Sequence, residues 1–329
     1  MNRTRIGVVI HTELLERLML PEDRARLEAL GEVRWTDSPR PVDEEEAIRL
    51  LRGCTVALGS WGTPGPGPAL LAACPELRLW EHVAGSVKHF FGPHLAGRDL
   101  VIASCKPAIA QNVAEMALAA IILGLRRAFQ NAADNRRRPA GKPPNIKVLY
   151  GAAVGVVAAS EVGRRLIRLL RPLGCRILLY DPYLRPGQAR EMGAEPVDDL
   201  RELCRRSDAV SLHTPLLPAT EKIIGRRELQ AMKDDAVFVN TSRGACVDEE
   251  ALVAELEKGR LFAVLDVSHP EPAAPESPLR RLPNCFYTSH IAGPPAFNMG
   301  KQAVDDVAAF LSGGRPACVL DTDRLDRIA

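Results

Sequence analysis

Val154-Gly-Val-Val-Ala-Ala-Ser-Glu-Val-Gly-Arg-Arg-Leu166, followed by Ile177-Leu-Leu-Tyr-Asp181, is the stretch on which the reading of this chain turns. It opens with a short apolar run of the kind a strand needs when both its faces are buried. Ala-Ala-Ser then makes a tight turn, and an amphipathic helix follows. The next strand ends in an acid. Strand, turn, helix and acid-tipped strand form the layout of a dinucleotide-binding unit: pyrophosphate sits on the helix N-terminus, and the acid takes ribose hydroxyls. The glycine fingerprint is altered. Where Gly-x-Gly-x-x-Gly is expected, this chain has Ala158-x-Ser160-x-x-Gly163. Alanine at the first position permits the turn if its φ is negative. Serine at the second puts a Cβ and a hydroxyl where the backbone must approach phosphate. That group must point away, hold the cofactor further out, or donate to a phosphate oxygen. Gly163 is kept for close helix–strand packing. Taken alone, the motif also fits a βαβ unit with no nucleotide. If a dinucleotide binds, Ser160, Glu161, Val162 and Gly163 lie along it, and Asp181 selects NAD over NADP by repelling a 2′-phosphate.

The same alternation extends in both directions. Towards the C-terminus, Ala209–Leu212, Ala236–Asn240 and Ala263–Asp266 read as further buried strands. Towards the N-terminus, a first series runs through Ile6–Ile10, Val33–Trp35, Val56–Gly59 and Leu77–Val83, with helices expected over Pro21–Leu30 and Val42–Leu51. Acids open the latter helix, where they suit the positive end of its dipole. Strands alternating with helices imply parallel sheets covered on both faces, and 329 residues are long for one core, so two α/β domains are expected. Trp61-Gly-Thr-Pro-Gly-Pro-Gly-Pro68 is a loop at a strand end, where ligands bind in such sheets, or else a plain turn. Ala108–Arg127 reads as a long apolar helix, Asn131–Asn145 as an exposed connection with a solvated Arg136-Arg-Arg138, and Ile291–Leu311 as helical.

Bulk properties exclude several classes. With 46% hydrophobic and 26% charged residues and a formal net charge of +2, nothing in the overall charge calls for nucleic acid or a membrane surface as partner. The eight cysteines, from Cys54 to Cys318, have no zinc or CxxC spacing, so no metal is expected and the thiols suit a reducing compartment. The first apolar run is too short for a signal peptide, and the run Met116–Leu125 is short for a membrane span. A cytoplasmic location is the expectation.

Four further motifs stand in order. They are Ser211-Leu-His-Thr-Pro-Leu216, Phe238-Val-Asn-Thr-Ser-Arg-Gly244 with Val247-Asp-Glu-Glu-Ala-Leu252, Leu265-Asp-Val-Ser-His-Pro-Glu-Pro272, and Thr288-Ser-His-Ile-Ala-Gly293. In these the chain resembles the D-isomer-specific 2-hydroxyacid dehydrogenase family, whose members include D-3-phosphoglycerate dehydrogenase and glyoxylate/hydroxypyruvate reductase. The resemblance spans nearly the whole chain and is strongest from about residue 147 to 293. It implies an NAD-dependent oxidoreductase moving hydride between nicotinamide and C2 of a small D-2-hydroxy or 2-keto acid. It also implies two doubly wound domains: a Rossmann NAD-binding domain at 107–289, inserted into a flavodoxin-like substrate domain made of 1–106 and 290–329. Substrate would bind in a cleft that closes over it, and a homodimer would form through the cofactor domains.

Roles follow residue by residue. Arg243 would clamp the substrate carboxylate and polarise the C2 oxygen. His290 would be the general acid/base, oriented by Glu271. Asp266 would contact the nicotinamide side of the cofactor, with His213, Thr214, Pro215, Thr241, Ser242 and Gly293 also along the dinucleotide. Backbone N–H groups of Gly85, Ser86 and Val87 would receive the carboxylate. The chemistry agrees independently. Reducing a keto carbon leaves an alkoxide that needs a proton and a nearby positive charge. Imidazole is the side chain that titrates near neutrality, and guanidinium matches a 2-keto carboxylate bidentately. Departures from the family pattern are Lys88, where many relatives carry an acid, Ser289, where proline is frequent, and the nucleotide turn. That turn leaves a dinucleotide-sensing, regulatory protein of the same fold as the alternative. A formate-dehydrogenase-like activity fits less well, because hydride abstraction from formate needs no proton relay.

Overall fold

The computed structural model describes residues 3–85, 93–95 and 98–320. Ser86 and Val87, read above as substrate contacts, lie outside the described residues, as do Lys88 and His89. The first series comprises β1 (Arg5–Val8), α1 (Thr12–Leu18), α2 (Pro21–Leu30), β2 (Glu32–Trp35), α3 (Glu44–Leu51), β3 (Val56–Gly59), α4 (Pro68–Ala73), β4 (Leu79–His82) and β5 (Val101–Ser104). The helix α5 (Lys106–Leu125) follows. The second series is α6 (Ala128–Arg137), β6 (Ala153–Val157), α7 (Glu161–Leu170), β7 (Arg176–Tyr180), α8 (Gln188–Glu191), β8 (Glu195–Pro196), α9 (Leu200–Arg206), β9 (Ala209–Leu212), α10 (Arg226–Ala231), β10 (Val237–Asn240), α11 (Glu249–Glu257), β11 (Phe262–Leu265) and β12 (Cys285–Tyr287). A last helix, α12 (Phe297–Leu311), completes the chain. The chain divides into two compact units, Met1–Ile109 with Pro294–Ala329, and Ala110–Gly293. The second crossing thus falls after Gly293, not after Ser289, and His290 belongs with the inserted unit.

In the first unit all strands are parallel, in the order β2-β1-β3-β4-β5. Alternate residues feed opposite faces. Ile6, Val8, Leu58 and Leu79 pack with Leu18, Met299, Val304 and Val307 on one side. Val9, Ala57, Trp80 and Ile102 pack with Ala47, Leu51 and Leu70 on the other. Each such fully buried aliphatic side chain contributes about 1.5–3 kcal/mol. Asp43 caps α3 by accepting from the Glu46 N–H at 2.8 Å, and the acidic first turn follows it as expected.

The second unit is a seven-stranded parallel sheet in the order β12-β11-β10-β9-β6-β7-β8. The strand order reverses between β6 and β9, which opens a crevice at their carboxyl ends. Three sequence expectations change. Of the stretch 131–145 expected as a connection, residues 131–137 belong to a helix that begins at Ala128; Phe129 anchors it by stacking on Phe286 with ring centroids 3.9 Å apart, while Arg136–Arg138 are exposed. The stretch 291–296, with Pro294 and Pro295, is not helical, and α12 begins only at Phe297. The run Met116–Leu125 understated α5, whose 20 residues are long and apolar enough to cross a membrane by length and composition. Half of its most apolar window is buried, and Ala114, Ala117, Ile121 and Leu125 enter the core of the second unit.

At the amino ends of the strands, Asp208 ties three segments together. Its carboxylate accepts from the Ala153 N–H at 2.9 Å and from the ammoniums of Lys147 and Lys233 at 2.9 and 3.1 Å. Burial alone would raise its pKa. The Ala153 N–H and the two ammoniums outweigh burial and hold it below the usual carboxylate value. Its stabilising contribution is therefore complete above the unfolded carboxylate pKa and lost as pH falls through the lower folded value. Asp208→Asn is expected to cost about 1–2 kcal/mol at neutral pH in urea unfolding, with a smaller penalty at pH 3. An equal penalty at both would contradict this account.

Candidate active site

The altered nucleotide turn is formed. Ser160 caps α7, its Oγ accepting from the Gly163 N–H at 3.3 Å, so its own proton is free to be directed outward. Gly163 is required by proximity: a Cβ there would lie 2.1 Å from the Ala158 carbonyl oxygen. Ala158 makes the turn at φ +77°, in the left-handed region that favours glycine, and not at the negative φ under which alanine was read as permitting it. Flanking hydrogen bonds hold it there. The Ala158 N–H donates to the Tyr180 carbonyl at 2.8 Å, and the Ala159 N–H to Asp181 Oδ2 at 2.8 Å. Asp181 Oδ1 takes the Tyr183 N–H at 2.9 Å. Asp181 stays half-buried, and each oxygen keeps a lone pair for a hydroxyl donor. Glu161 is exposed and Val162 half-buried at the start of α7.

At the ends of β9 and β10, His213, Thr214 and Thr241 are buried, with Pro215 and Ser242 half-buried beside them. His213 Nε2 pairs with Ser211 Oγ at 2.9 Å, and desolvation pushes its pKa down to about 3, so the ring is neutral. His213 Nδ1 and Thr241 Oγ1 have no hydrogen-bond partner among the described residues. Orphaned buried polar atoms at the carboxyl ends of a doubly wound sheet are what a bound dinucleotide would satisfy, so these residues fit the cofactor.

Arg243 follows β10 in extended conformation, half-buried. Asn240 shapes this segment by donating from its amide to the Arg243 carbonyl at 3.0 Å and accepting from the Ser242 N–H at 3.0 Å. The Arg243 guanidinium donates to the Ser242 carbonyl at 2.7 Å and has no carboxylate partner among the described residues. Next to it, Gly244 allows no side chain, since a Cβ would sit 2.0 Å from the Ser268 carbonyl oxygen.

His290 and Glu271 are brought together. Nδ1 lies 2.5 Å from Glu271 Oε1, with both side chains partly exposed. This contact fixes the ring and leaves Nε2 for other chemistry. His290 itself is left-handed, with φ +55°. Asp266 holds the turn: its carbonyl accepts the His290 N–H at 2.8 Å, Oδ1 takes Thr288 Oγ1–H at 2.7 Å and the Ile291 N–H at 2.8 Å, and Oδ2 takes the Ala292 N–H at 2.8 Å. The sequence reading turned Asp266 to the nicotinamide. Here it is 1% exposed and its carboxylate oxygens face the His290 turn. Gly293 is half-buried at the end of this turn. In the first unit Gly85 is half-buried beyond β4, close to Ile109. Motif reading gave no role to Thr288, Ser268 or Tyr287, because the contacts of Thr288 with Asp266 and of Ser268 with Tyr287 join residues about twenty apart in sequence.

The family model described as D-isomer specific 2-hydroxyacid dehydrogenase, NAD binding domain, matches residues 108–292. A D-3-phosphoglycerate dehydrogenase of Methanocaldococcus jannaschii is 34% identical over 274 residues, covering 82% of this chain and 51% of that protein. A glyoxylate reductase of Korarchaeum cryptofilum is 30% identical over 291 residues, 86% of this chain and 87% of that one. The TT0316 protein from Thermus thermophilus superposes with a TM-score of 0.72 at 26% identity, over 97% of this chain and all of that one. The fold and these matches define an NAD-binding α/β protein. The chain belongs to the D-isomer-specific 2-hydroxyacid dehydrogenase family, and it spans about half the length of the D-3-phosphoglycerate dehydrogenases it matches.

Two outcomes test the geometry. Ala158→Gly removes the left-handed strain and is expected to leave stability unchanged or raise it by up to about 1 kcal/mol, where glycine elsewhere usually costs that much. Thermal unfolding decides, and clear destabilisation would show that the turn is unstrained. For His213 the unfolded ring protonates near 6.5 and the folded ring only near 3, so its stabilising contribution is complete above 6.5 and falls with pH between those values. The slope is at most about 1.4 kcal/mol per pH unit. His213→Asn is expected to flatten the loss of unfolding free energy between pH 7 and pH 5 in urea titrations; an unchanged slope would assign that loss to other groups.

Proposed function

We propose that this chain is an NAD-dependent oxidoreductase interconverting a small D-2-hydroxy acid and the corresponding 2-keto acid. The observation that carries the reading is the 2.5 Å His290–Glu271 pair, on the same sheet end as an Arg243 guanidinium with no carboxylate partner among the described residues. Nicotinamide, when bound, would supply the hydride-transfer chemistry at C2. Arg243 takes the substrate carboxylate and polarises the C2 oxygen. In reduction, the proton on His290 Nε2 passes to that oxygen as it gains charge. In oxidation, Nε2 removes it. Glu271 keeps Nδ1 engaged, so only Nε2 addresses the substrate. Asp181 and the N-terminus of α7 would hold the adenosine ribose and the pyrophosphate, and an acid at Asp181 favours NAD.

The regulatory alternative rested on Ala158 and Ser160. Against it stands the similarity to relatives named as dehydrogenases and reductases. A homodimer through the second unit is part of the proposal, supported by exposed Leu123, Ile146, Val148 and Tyr150, and sedimentation would measure it. So is a cytoplasmic location, which suits eight free thiols.

The test is NADH titration by nicotinamide fluorescence, then a panel of 2-ketoacids beginning with glyoxylate, hydroxypyruvate and phenylpyruvate. NADH oxidation by at least one is expected. His290→Gln should lower kcat by about 10²–10⁴-fold while leaving NADH affinity in place. NADH binding with no turnover across a broad panel would return the regulatory reading; a His290→Gln protein of full activity would remove His290 from the chemistry.

A further inference from the structure

Glu271 leaves the end of β11 on a loop, Val267–Ala273, in which Pro270 and Pro272 have no N–H to anchor it. Side chains supply the anchors. Glu249 Oε2 accepts the His269 N–H at 3.0 Å. Ser268 Oγ donates to the Pro270 carbonyl at 2.8 Å and lies 3.1 Å from the Tyr287 hydroxyl. The same hydroxyl accepts the Ala273 N–H at 3.1 Å. Because the Ser268 proton is directed at Pro270, the phenol proton must go to Ser268 Oγ. The result is an unbroken chain, Ala273 N–H to Tyr287 oxygen, Tyr287 O–H to Ser268, Ser268 O–H to Pro270, which closes the loop on both sides of Glu271. Arg280 reinforces one end, donating to the Ala273 carbonyl at 2.6 Å with its guanidinium 5.5 Å over the Tyr287 ring.

Tyr287 also ends β12, three residues before His290, so one short segment carries both the imidazole and the hydroxyl that fixes the imidazole's carboxylate partner. We propose that Tyr287 is a positioning residue of the acid–base pair: its phenol O–H sets the Glu271 carboxylate against His290 Nδ1. This rests on the dehydrogenase reading for its effect on turnover, but not for its effect on the hydrogen bond. The ring alone would pack against the core equally well as phenylalanine. It is the hydroxyl that hydrogen-bonds to the loop.

The variants are Tyr287→Phe, Glu271→Gln and the two combined, with Ser268→Ala cutting the same chain from its other end should Tyr287→Phe fail to fold. For Tyr287→Phe we expect kcat to fall about fivefold to tenfold, with KM for the ketoacid and NADH affinity little changed. In the Glu271→Gln background, removing the hydroxyl should cost almost nothing further, because the group it positions is gone. A general structural role would instead lower the thermal midpoint and add its penalty in both backgrounds; that result, or full kcat in Tyr287→Phe, overturns the proposal. The second readout needs no turnover. The far-downfield proton resonance of the His290–Glu271 hydrogen bond, identified by its absence in Glu271→Gln, should be lost or broadened in Tyr287→Phe and in Ser268→Ala. Its persistence unshifted in both overturns the inference. A wild-type protein that shows the resonance but reduces no ketoacid defeats the dehydrogenase reading alone.

Discussion

A histidine does not rest in the left-handed region without help, and the position of His290 there depends on Asp266. A non-glycine residue at φ +55° stores on the order of 1 kcal/mol or more of strain. Four hydrogen bonds to one residue hold it: the Asp266 carbonyl takes the His290 N–H, and its carboxylate takes Thr288, Ile291 and Ala292. A charge that is 1% exposed is tolerable because all three donors point at it. The strain has a geometric use. It lets the chain leave β12, turn sharply, and present an imidazole whose side chain is 48% exposed while the turn's backbone donors stay satisfied.

The two acids beside His290 therefore divide the work by burial. Asp266, sealed in, fixes the backbone. Glu271, on a loop at the surface, meets the ring. Arg243 belongs to the same assembly, because Gly244 is pressed against the Ser268 carbonyl, and a shift of either loop would move the other. All three side chains lie within the second unit, so their mutual arrangement is a property of one sheet and its loops.

The sheet was largely legible because near-continuous apolar runs such as Val237–Asn240 admit little else between turn signals. The Arg243, Glu271 and His290 positions were legible through motif resemblance. Conformations set by distant partners were not. Alanine was read as permitting the nucleotide turn only at negative φ; Ala158 makes it at positive φ, held by hydrogen bonds donated to the end of β7. Arg127 follows an apolar run, as a helix-ending surface cation would, yet it is 2% exposed, lies 3.4 Å over the Phe262 ring and donates to the Gly124 and Asp235 carbonyls. Nothing within ten residues announces either partner strand or ring. Residues 131–137 read as part of a connection because their composition is polar, and one aromatic stack anchors the helix they belong to.

The left-handed residues of the two functional turns share one device. Ala158 and His290 are each followed by backbone N–H groups that donate to an aspartate at the end of a neighbouring strand: Ala159 to Asp181, and Ile291 and Ala292 to Asp266. Glycine at either position would tolerate that φ unaided. With a side chain present, the carboxylate supplies the missing preference. An acid at a strand end in a doubly wound sheet is usually read as a ligand contact, and here burial decides how far that reading extends. Asp181 is half-buried with a lone pair free on each oxygen, so it can brace the turn and still receive ribose hydroxyls. Asp266 is sealed and already takes three donors, so what it shapes is the turn that carries His290.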